Sequence, residues 1–102
     1  MNKKNLLLDN KVCVITGGAG LLGAEFVRAI IKNNGKVLII DKNKKLTLKT
    51  QKKLSLELNS RNIDFFIADI IKKKDLAKCI KYLDKKYGKI DAIINNAYLK
   101  NK

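Results

Sequence analysis

An apolar run, Val12-Cys13-Val14-Ile15, leads into Thr16-Gly17-Gly18-Ala19-Gly20-Leu21-Leu22-Gly23, and an apolar-periodic segment, Leu21 to Ile31, follows at once. No other stretch restricts the possible folds so strongly. The order is strand, glycine turn, helix, which opens a βαβ crossover. The first turn of a helix carries unpaired N–H groups and the positive end of the helix dipole, and both favour an anion. Gly17, Gly20 and Gly23 allow a tight turn, close approach of a pyrophosphate, and close packing of helix on strand. The spacing is G-x-x-G-x-x-G, not the commoner G-x-G-x-x-G. By itself it is also compatible with an ordinary glycine-rich β–α connection.

The rest of the chain repeats the alternation. Strand one is expected at Lys11–Ile15. Helix one is expected from Leu21 to about Asn33, with Leu22, Phe26, Ala29 and Ile30 inward, and Asn34-Gly35 ends it. Strand two is Lys36–Ile40, a continuous apolar run suited to a parallel strand covered on both faces. Helix two covers about Asn43–Asn59, with Leu46, Leu54 and Leu58 on one face. Strand three is Ile63–Ile67. Helix three covers about Lys73–Tyr87, with Leu76, Ile80, Leu83 and Tyr87 as its stripe. Strand four is Ile90–Ile94. The order βαβαβαβ predicts an α/β, doubly wound parallel sheet of spatial order 3-2-1-4. Its crevice opens where the connections of strands one and four diverge. Thr16–Gly23, Asp41, Asp69 and Asn95–Ala97 all fall at carboxyl ends of strands and converge there.

At 102 residues the chain is at most one domain. It has no histidine, which excludes Ser-His-Asp triads, Cys-His pairs and histidine-dependent metal sites. Its net charge of +14 raises the question of nucleic acid or an anionic surface. Of the 23 basic residues only Arg28 and Arg61 are arginines. The lysines are spread along the chain, with no arginine cluster and no aromatic-basic platform. Solvated helix faces account for them, and no specific nucleic-acid partner is expected. Cys13 and Cys79 have neither metal nor redox spacing and read as small core residues. Leu6-Leu7-Leu8 is too short for a signal peptide, and no apolar run is long enough to span a membrane. A cytoplasmic location is expected.

Asp41 lies at the end of strand two, 18 residues after Gly23. An acid there can accept hydrogen bonds from both hydroxyls of an adenosine ribose and would repel a 2′-phosphate. Asp69 is suited either to hydrogen-bonding adenine or to capping the next helix.

The glycine turn, Asp41, Asp69-Ile70 and Asn95-Asn96-Ala97 together resemble the short-chain dehydrogenase/reductase family. The resemblance spans nearly the whole chain. In the commonest glycine motif of that family, T-G-x-x-x-G-x-G, the middle glycine is replaced here by Leu21. The T-G-x-x-G-x-x-G spacing is similar to the extended branch that acts on nucleotide sugars. Asn95-Asn96-Ala97 is similar to N-N-A-G, with Tyr98 in place of its glycine. The stretch Asn95–Lys102 also resembles flagellin-modification oxidoreductases of bacterial surface-sugar pathways.

The resemblance implies a Rossmann-type fold, with residues 1–102 as the amino-terminal part of a single dinucleotide-binding domain, truncated after strand four. It implies that Thr16, Gly17, Gly18, Ala19, Gly20, Leu21, Leu22 and Gly23 hold the pyrophosphate. Asp41 would hold the adenosine ribose, and Asp69 and Ile70 the adenine. Asn96 and Ala97 would lie along the nicotinamide ribose, with Asn95 steadying strand four. The cofactor expected is NAD rather than NADP. The implied substrate is a small alcohol or carbonyl compound, and a sugar fits the surface-sugar likeness. The longer parent is expected to be a homo-oligomer.

The family's chemistry uses a tyrosine, a lysine four residues later, and a serine, all downstream of strand four. Tyr82-Leu83-Asp84-Lys85-Lys86 matches Y-x-x-x-K, but it precedes strand four and Tyr82 falls off the expected inward stripe. It reads as a surface tyrosine among lysines, and no catalytic residue is expected in the chain. Two other classes remain open: a non-catalytic nucleotide-binding or interaction module, and a basic nucleic-acid binder.

Overall fold

The computed structural model describes residues 7–96. Four short strands alternate with three helices: β1 (Val12–Thr16), α1 (Leu21–Lys32), β2 (Lys36–Asp41), α2 (Lys44–Leu58), β3 (Ile63–Ile67), α3 (Lys73–Lys86) and β4 (Ala92–Asn95). The strands form one parallel sheet of order β3-β2-β1-β4. The doubly wound, Rossmann-type architecture expected from the alternation is therefore present.

The two-residue period of the strands divides the core between the faces of the sheet. Cys13, Ile15, Val37, Ile39 and Ile63 point to one face and pack with Ala24, Val27 and Ile30 of α1 and Leu54 of α2. Val14, Leu38 and Ile40 point to the other and pack with Ala68 and with Cys79 and Leu83 of α3. All five residues of β1 are buried, because the strand is central and covered on both faces. Both cysteines are buried core residues, as expected.

The helices begin and end close to the expected positions, and each expected face is inward in part: Ile30, Leu54 and Leu83 are buried and Phe26, Leu58 and Tyr87 pack on the core, while the other expected residues give way to neighbours. In α1, Leu22 and Ala29 are exposed, while Gly23, Ala24, Val27 and Ile30 are buried. The cause is Gly23: a Cβ there would lie 2.5 Å from Gly18 Cα. That contact turns the 23/27/30 line toward the sheet. In α2, Thr47 takes the buried place expected for Leu46, its hydroxyl donating to Asn43 O at 2.7 Å. In α3, Cys79 and Leu83 are buried, whereas Leu76 and Ile80 are exposed.

The end of α1 also differs in mechanism. Asn34, with φ 65°, takes the left-handed position. Gly35 is needed for space, since a Cβ on it would lie 2.6 Å from Ile30 Cγ2. Asn tolerates that backbone region better than other side-chain-bearing residues do. At the other edge of the sheet, β4 starts two residues later than expected. Asp91, just before it, accepts from Val12 N–H through Oδ2 at 2.7 Å. Ile93 of β4 is 63% exposed. Among the described residues no helix is long and apolar enough to cross a membrane.

Candidate functional site: the carboxyl ends of the strands

Gly17 follows β1 with φ 65°, a conformation that favours glycine, and its N–H donates to Ile40 O at 2.7 Å. The chain then doubles back tightly. Gly18 sits between the side chains of Ile39 and Ile15, where a Cβ would meet methyl carbons at 3.0 and 3.1 Å. Gly20 is the N-cap of α1 and has no side chain to cap it. The first-turn N–H groups of Leu21 and Leu22 have no acceptor among the described residues. Leu21, the first residue of α1, is 92% exposed. A Cβ on Gly20 would meet nothing within 4 Å, so open space adjoins the helix start.

Asp41 ends β2 beside this turn. One carboxylate oxygen, Oδ2, accepts from Ala19 N–H at 3.3 Å, and Oδ1 accepts from Asn43 N–H at 3.0 Å. Asn43 in turn caps α2, its Oδ1 accepting from Leu46 N–H at 3.0 Å. Thr50 of α2 donates its hydroxyl to Ala19 O at 2.9 Å. The glycine turn is thus held from α2 as well as from the sheet, a tie that Thr50 gave no sequence sign of making.

β4 closes the other side. Thr16 donates its hydroxyl to Asn95 Oδ1 at 2.8 Å. Asn96 N–H donates to Thr16 O at 3.1 Å, and Asn96 Nδ2 donates to Gly17 O at 3.0 Å. Asn95 and Asn96 therefore clamp the glycine turn. Ala97, grouped with them on sequence grounds, lies outside the described residues, as does the stretch from Tyr98 to Lys102.

Asp69 and Ile70 follow β3, and Asp69 borders an open cleft of about 280 Å³ lined also by Lys42, Ile67, Ala68, Lys72 and Asp75. Ala68 N–H donates to Asp41 O at 3.0 Å, which ties this loop to the end of β2. The glycine turn, Asp41, Asp69, Ile70, Asn95 and Asn96 all sit at the same end of the sheet.

Tyr82 and Lys86 do not. Their shared partner is Asp64, second residue of β3 and paired with Leu38. Three residues, or roughly 10 Å of strand, separate it from the strand's carboxyl end. Tyr82 is not a free surface residue: its ring packs on Phe66 with centroids 5.1 Å apart, and its hydroxyl donates to Asp64 Oδ2 at 2.5 Å. Lys86 Nζ donates to the same oxygen at 2.6 Å, and the Tyr87 hydroxyl reaches it at 3.2 Å. Burial, reinforced by the Asp64 charge, pushes the Tyr82 hydroxyl above its ordinary pKa. A proton-relay tyrosine requires the opposite shift.

A parallel α/β sheet with a glycine-turned helix start beside an acid defines a dinucleotide-fold architecture. Residues 11–102 match the family model for short chain dehydrogenases, and the chain belongs to that family. It is 33% identical over 92 residues to Short-chain dehydrogenase reductase 3a of Arabidopsis thaliana, a match covering 90% of this chain and 34% of that protein. The fold is similar to NAD+-bound xylitol dehydrogenase, with a TM-score of 0.80 and 22% identity over 91% of this chain and 35% of that one. It is also similar to the C-domain, with NADP, of a bacterial malonyl-CoA reductase, with a TM-score of 0.82 and 25% identity over 93% of this chain and 16% of that one. The chain spans about a third of the length of the curated relatives it matches.

Proposed function

We propose that this chain is the amino-terminal, dinucleotide-binding part of an NAD(P)-dependent short-chain oxidoreductase whose whole domain acts on an alcohol or carbonyl compound. The observation that carries the reading is the pairing of unspent first-turn N–H groups of α1 with the Asp41 carboxylate beside them. The first suits a pyrophosphate and the second a ribose diol. In this reading residues 16–23 hold the pyrophosphate, Asp41 the adenosine ribose, and Asp69 and Ile70 the adenine. Asn95 steadies β4, while Asn96 and Ala97 lie along the nicotinamide ribose. The dinucleotide, when bound, supplies the carbon that takes or gives hydride. The protein's part here is to bind and orient it.

Asp41 favours NAD. A 2′-phosphate about 4 Å from its carboxylate would cost on the order of 4 kcal/mol at an intermediate dielectric. Lys42 is the opposing feature, since it lines the neighbouring cleft. For the 102-residue chain by itself no hydride transfer is expected: the Tyr82–Lys86 pair is engaged with Asp64, away from the carboxyl ends of the strands, and the serine and Y-x-x-x-K of the family's chemistry are expected downstream of strand four. For the whole protein we propose a cytoplasmic homo-oligomer with a small-molecule substrate. The resemblance of residues 95–102 to flagellin-modification oxidoreductases supports a sugar, within surface-sugar or flagellin-glycan synthesis.

The test is a titration of NAD and NADP against the wild type and Asp41→Ala. The wild type is expected to bind NAD more tightly, and the substitution to erase the preference. Tighter NADP binding by the wild type would refute the NAD reading. Binding of neither nucleotide would refute the dinucleotide reading.

A further inference from the structure

The cleft after β3 contains one acid with no part in the reading above. Asp75 is the third residue of α3 and half-buried. An acid at this position usually bonds the N–H of its own helix's N-cap. Here the N-cap is Lys72, and its N–H donates instead to Asp69 O at 2.9 Å. Asp75 reaches three residues further back, and its Oδ2 accepts from Asp69 N–H at 2.8 Å. The acid is therefore spent on the loop between β3 and α3, not on the helix start.

The consequence lies in which donors remain. Ala68 N–H is held by Asp41 O at 3.0 Å. Asp69 N–H is held by Asp75, and Ile71 N–H by Asp69 Oδ1 at 3.2 Å. Lys72 N–H is held by Asp69 O. Ile70 N–H alone in this stretch has no acceptor among the described residues. The loop thus presents one unspent donor, Ile70 N–H, and a carboxylate oxygen, Asp69 Oδ2, on adjacent residues, of which Asp69 lines the cleft and Ile70 packs its side chain on the core. Adenine offers the complement: its 6-amino group donates and its N1 accepts. Hypoxanthine reverses both, with a 6-oxo acceptor and an N1–H donor.

We propose that Asp75 is a positioning residue for purine recognition, fixing the Asp69 peptide so that Asp69 and Ile70 distinguish adenine from hypoxanthine. The proposal rests on the dinucleotide reading and deepens it. Pre-organisation of this kind improves affinity by removing the cost of ordering the loop. The effect should appear in the choice of base and not in the ribose contacts, which belong to Asp41.

The experiment titrates the ¹⁵N-labelled 102-residue chain with ADP-ribose and with its inosine counterpart. The variants are Asp75→Ala, Asp75→Asn, Asp75→Ser and Asp41→Ala. Loss of one held donor predicts about tenfold weaker ADP-ribose binding by Asp75→Ala, with the inosine ligand little changed. Asp75→Asn keeps an acceptor oxygen and should stay within about threefold of the wild type. Asp75→Ser suits a first helical turn but is too short to reach Asp69 N–H, so it repeats the Ala result even where Ala fails to fold. Asp41→Ala should weaken both ligands alike.

Equal loss of both ligands in Asp75→Ala or Asp75→Ser, or no loss of either, overturns the proposal. So does an Asp75→Asn variant as impaired as the Ser variant. A wild type that binds neither ligand, or an Asp41→Ala variant that binds both as the wild type does, overturns the dinucleotide reading and the proposal with it.

Discussion

The two ends of the sheet use similar residue types to opposite effect. At the amino end, Asp64 meets Tyr82, Lys86 and Tyr87, and one carboxylate oxygen takes hydrogen bonds from all three. The cation of Lys86 also lies 5.7 and 5.5 Å from the two ring centroids. At the carboxyl end, Asp41 is engaged by two backbone N–H groups, yet the helix start beside it keeps unspent donors. The first arrangement fastens α3 to the sheet. The second is built like a receptor. A Y-x-x-x-K match is therefore interpretable only once its end of the sheet is known.

Three perturbations separate the two ends. The largest effect is expected from Gly23→Val. A Cβ 2.5 Å from Gly18 Cα meets backbone, which cannot swing aside. Overpacking of this kind should cost about 3 kcal/mol or more and abolish nucleotide binding. Urea denaturation reads the cost, and a variant within 0.5 kcal/mol of wild type, as a rough threshold, would show that the turn can relax.

Asp64→Asn should act at the other end only. It removes the charge shared by Lys86 and two tyrosines, for a loss of about 1–2 kcal/mol after allowing for the exposed Lys86. Nucleotide affinity should not change. The pH dependence has two limbs. Burial raises the Asp64 pKa, but hydrogen bonds from Lys86, Tyr82 and Phe65 N–H outweigh it, and the net shift is downward. That contribution is present above the ordinary carboxylate range and lost as pH falls through the lowered value. Tyr87 is pushed up to about 12 by burial and by the Asp64 charge. Its contribution is full below the ordinary tyrosine value of about 10 and is lost as pH rises toward about 12. In Asp64→Asn the acid-side dependence of the denaturant midpoint should be lost, and the alkaline-side dependence should shrink in part only, since burial is the larger cause of the Tyr87 shift. An unchanged acid-side slope would show that Asp64 does not join the cluster into a unit.

The smallest effect belongs to Tyr82→Phe. The ring contact with Phe66 survives, and the hydroxyl's bond to Asp64 and the longer one it accepts from Lys86 Nζ at 3.3 Å are lost, for about 1 kcal/mol. NAD affinity should be unaltered. Weaker NAD binding in this variant would remove the separation between the two ends.

The strands, their order and the convergence of motifs were legible in the sequence, because continuous apolar runs and glycine spacing are local signals. The inward face of each helix was legible only in part. In α3 the stripe through Leu76, Ile80 and Leu83 and the actual one through Cys79 and Leu83 share a residue, and periodicity alone cannot choose between them. In α1 the choice was made by Gly23, whose lack of a side chain carries no hydrophobic weight in any pattern. Thr47 displaced Leu46 because its hydroxyl finds Asn43 O one turn earlier. In the candidate site, Asp41 and the two asparagines were readable as end-of-strand polar residues. Asp75 was visible only as an acid in a first helical turn, six residues after Asp69. Its reach past its own N-cap depends on the loop geometry that the fold supplies.

The central position of β1 sets an order of assembly. Its pairing with β2 joins residues separated by one short crossover, Val12 with Lys36 and Thr16 with Ile40. Its pairing with β4 spans 79 residues, as in the bond from Thr16 to Asn95. Loop closure over that length is entropically dearer and slower. During synthesis the glycine turn and Asp41 can meet while β4 is still unmade. The half of the crevice that carries Asp41 is thus the early half, and the asparagine clamp that completes it is the late one.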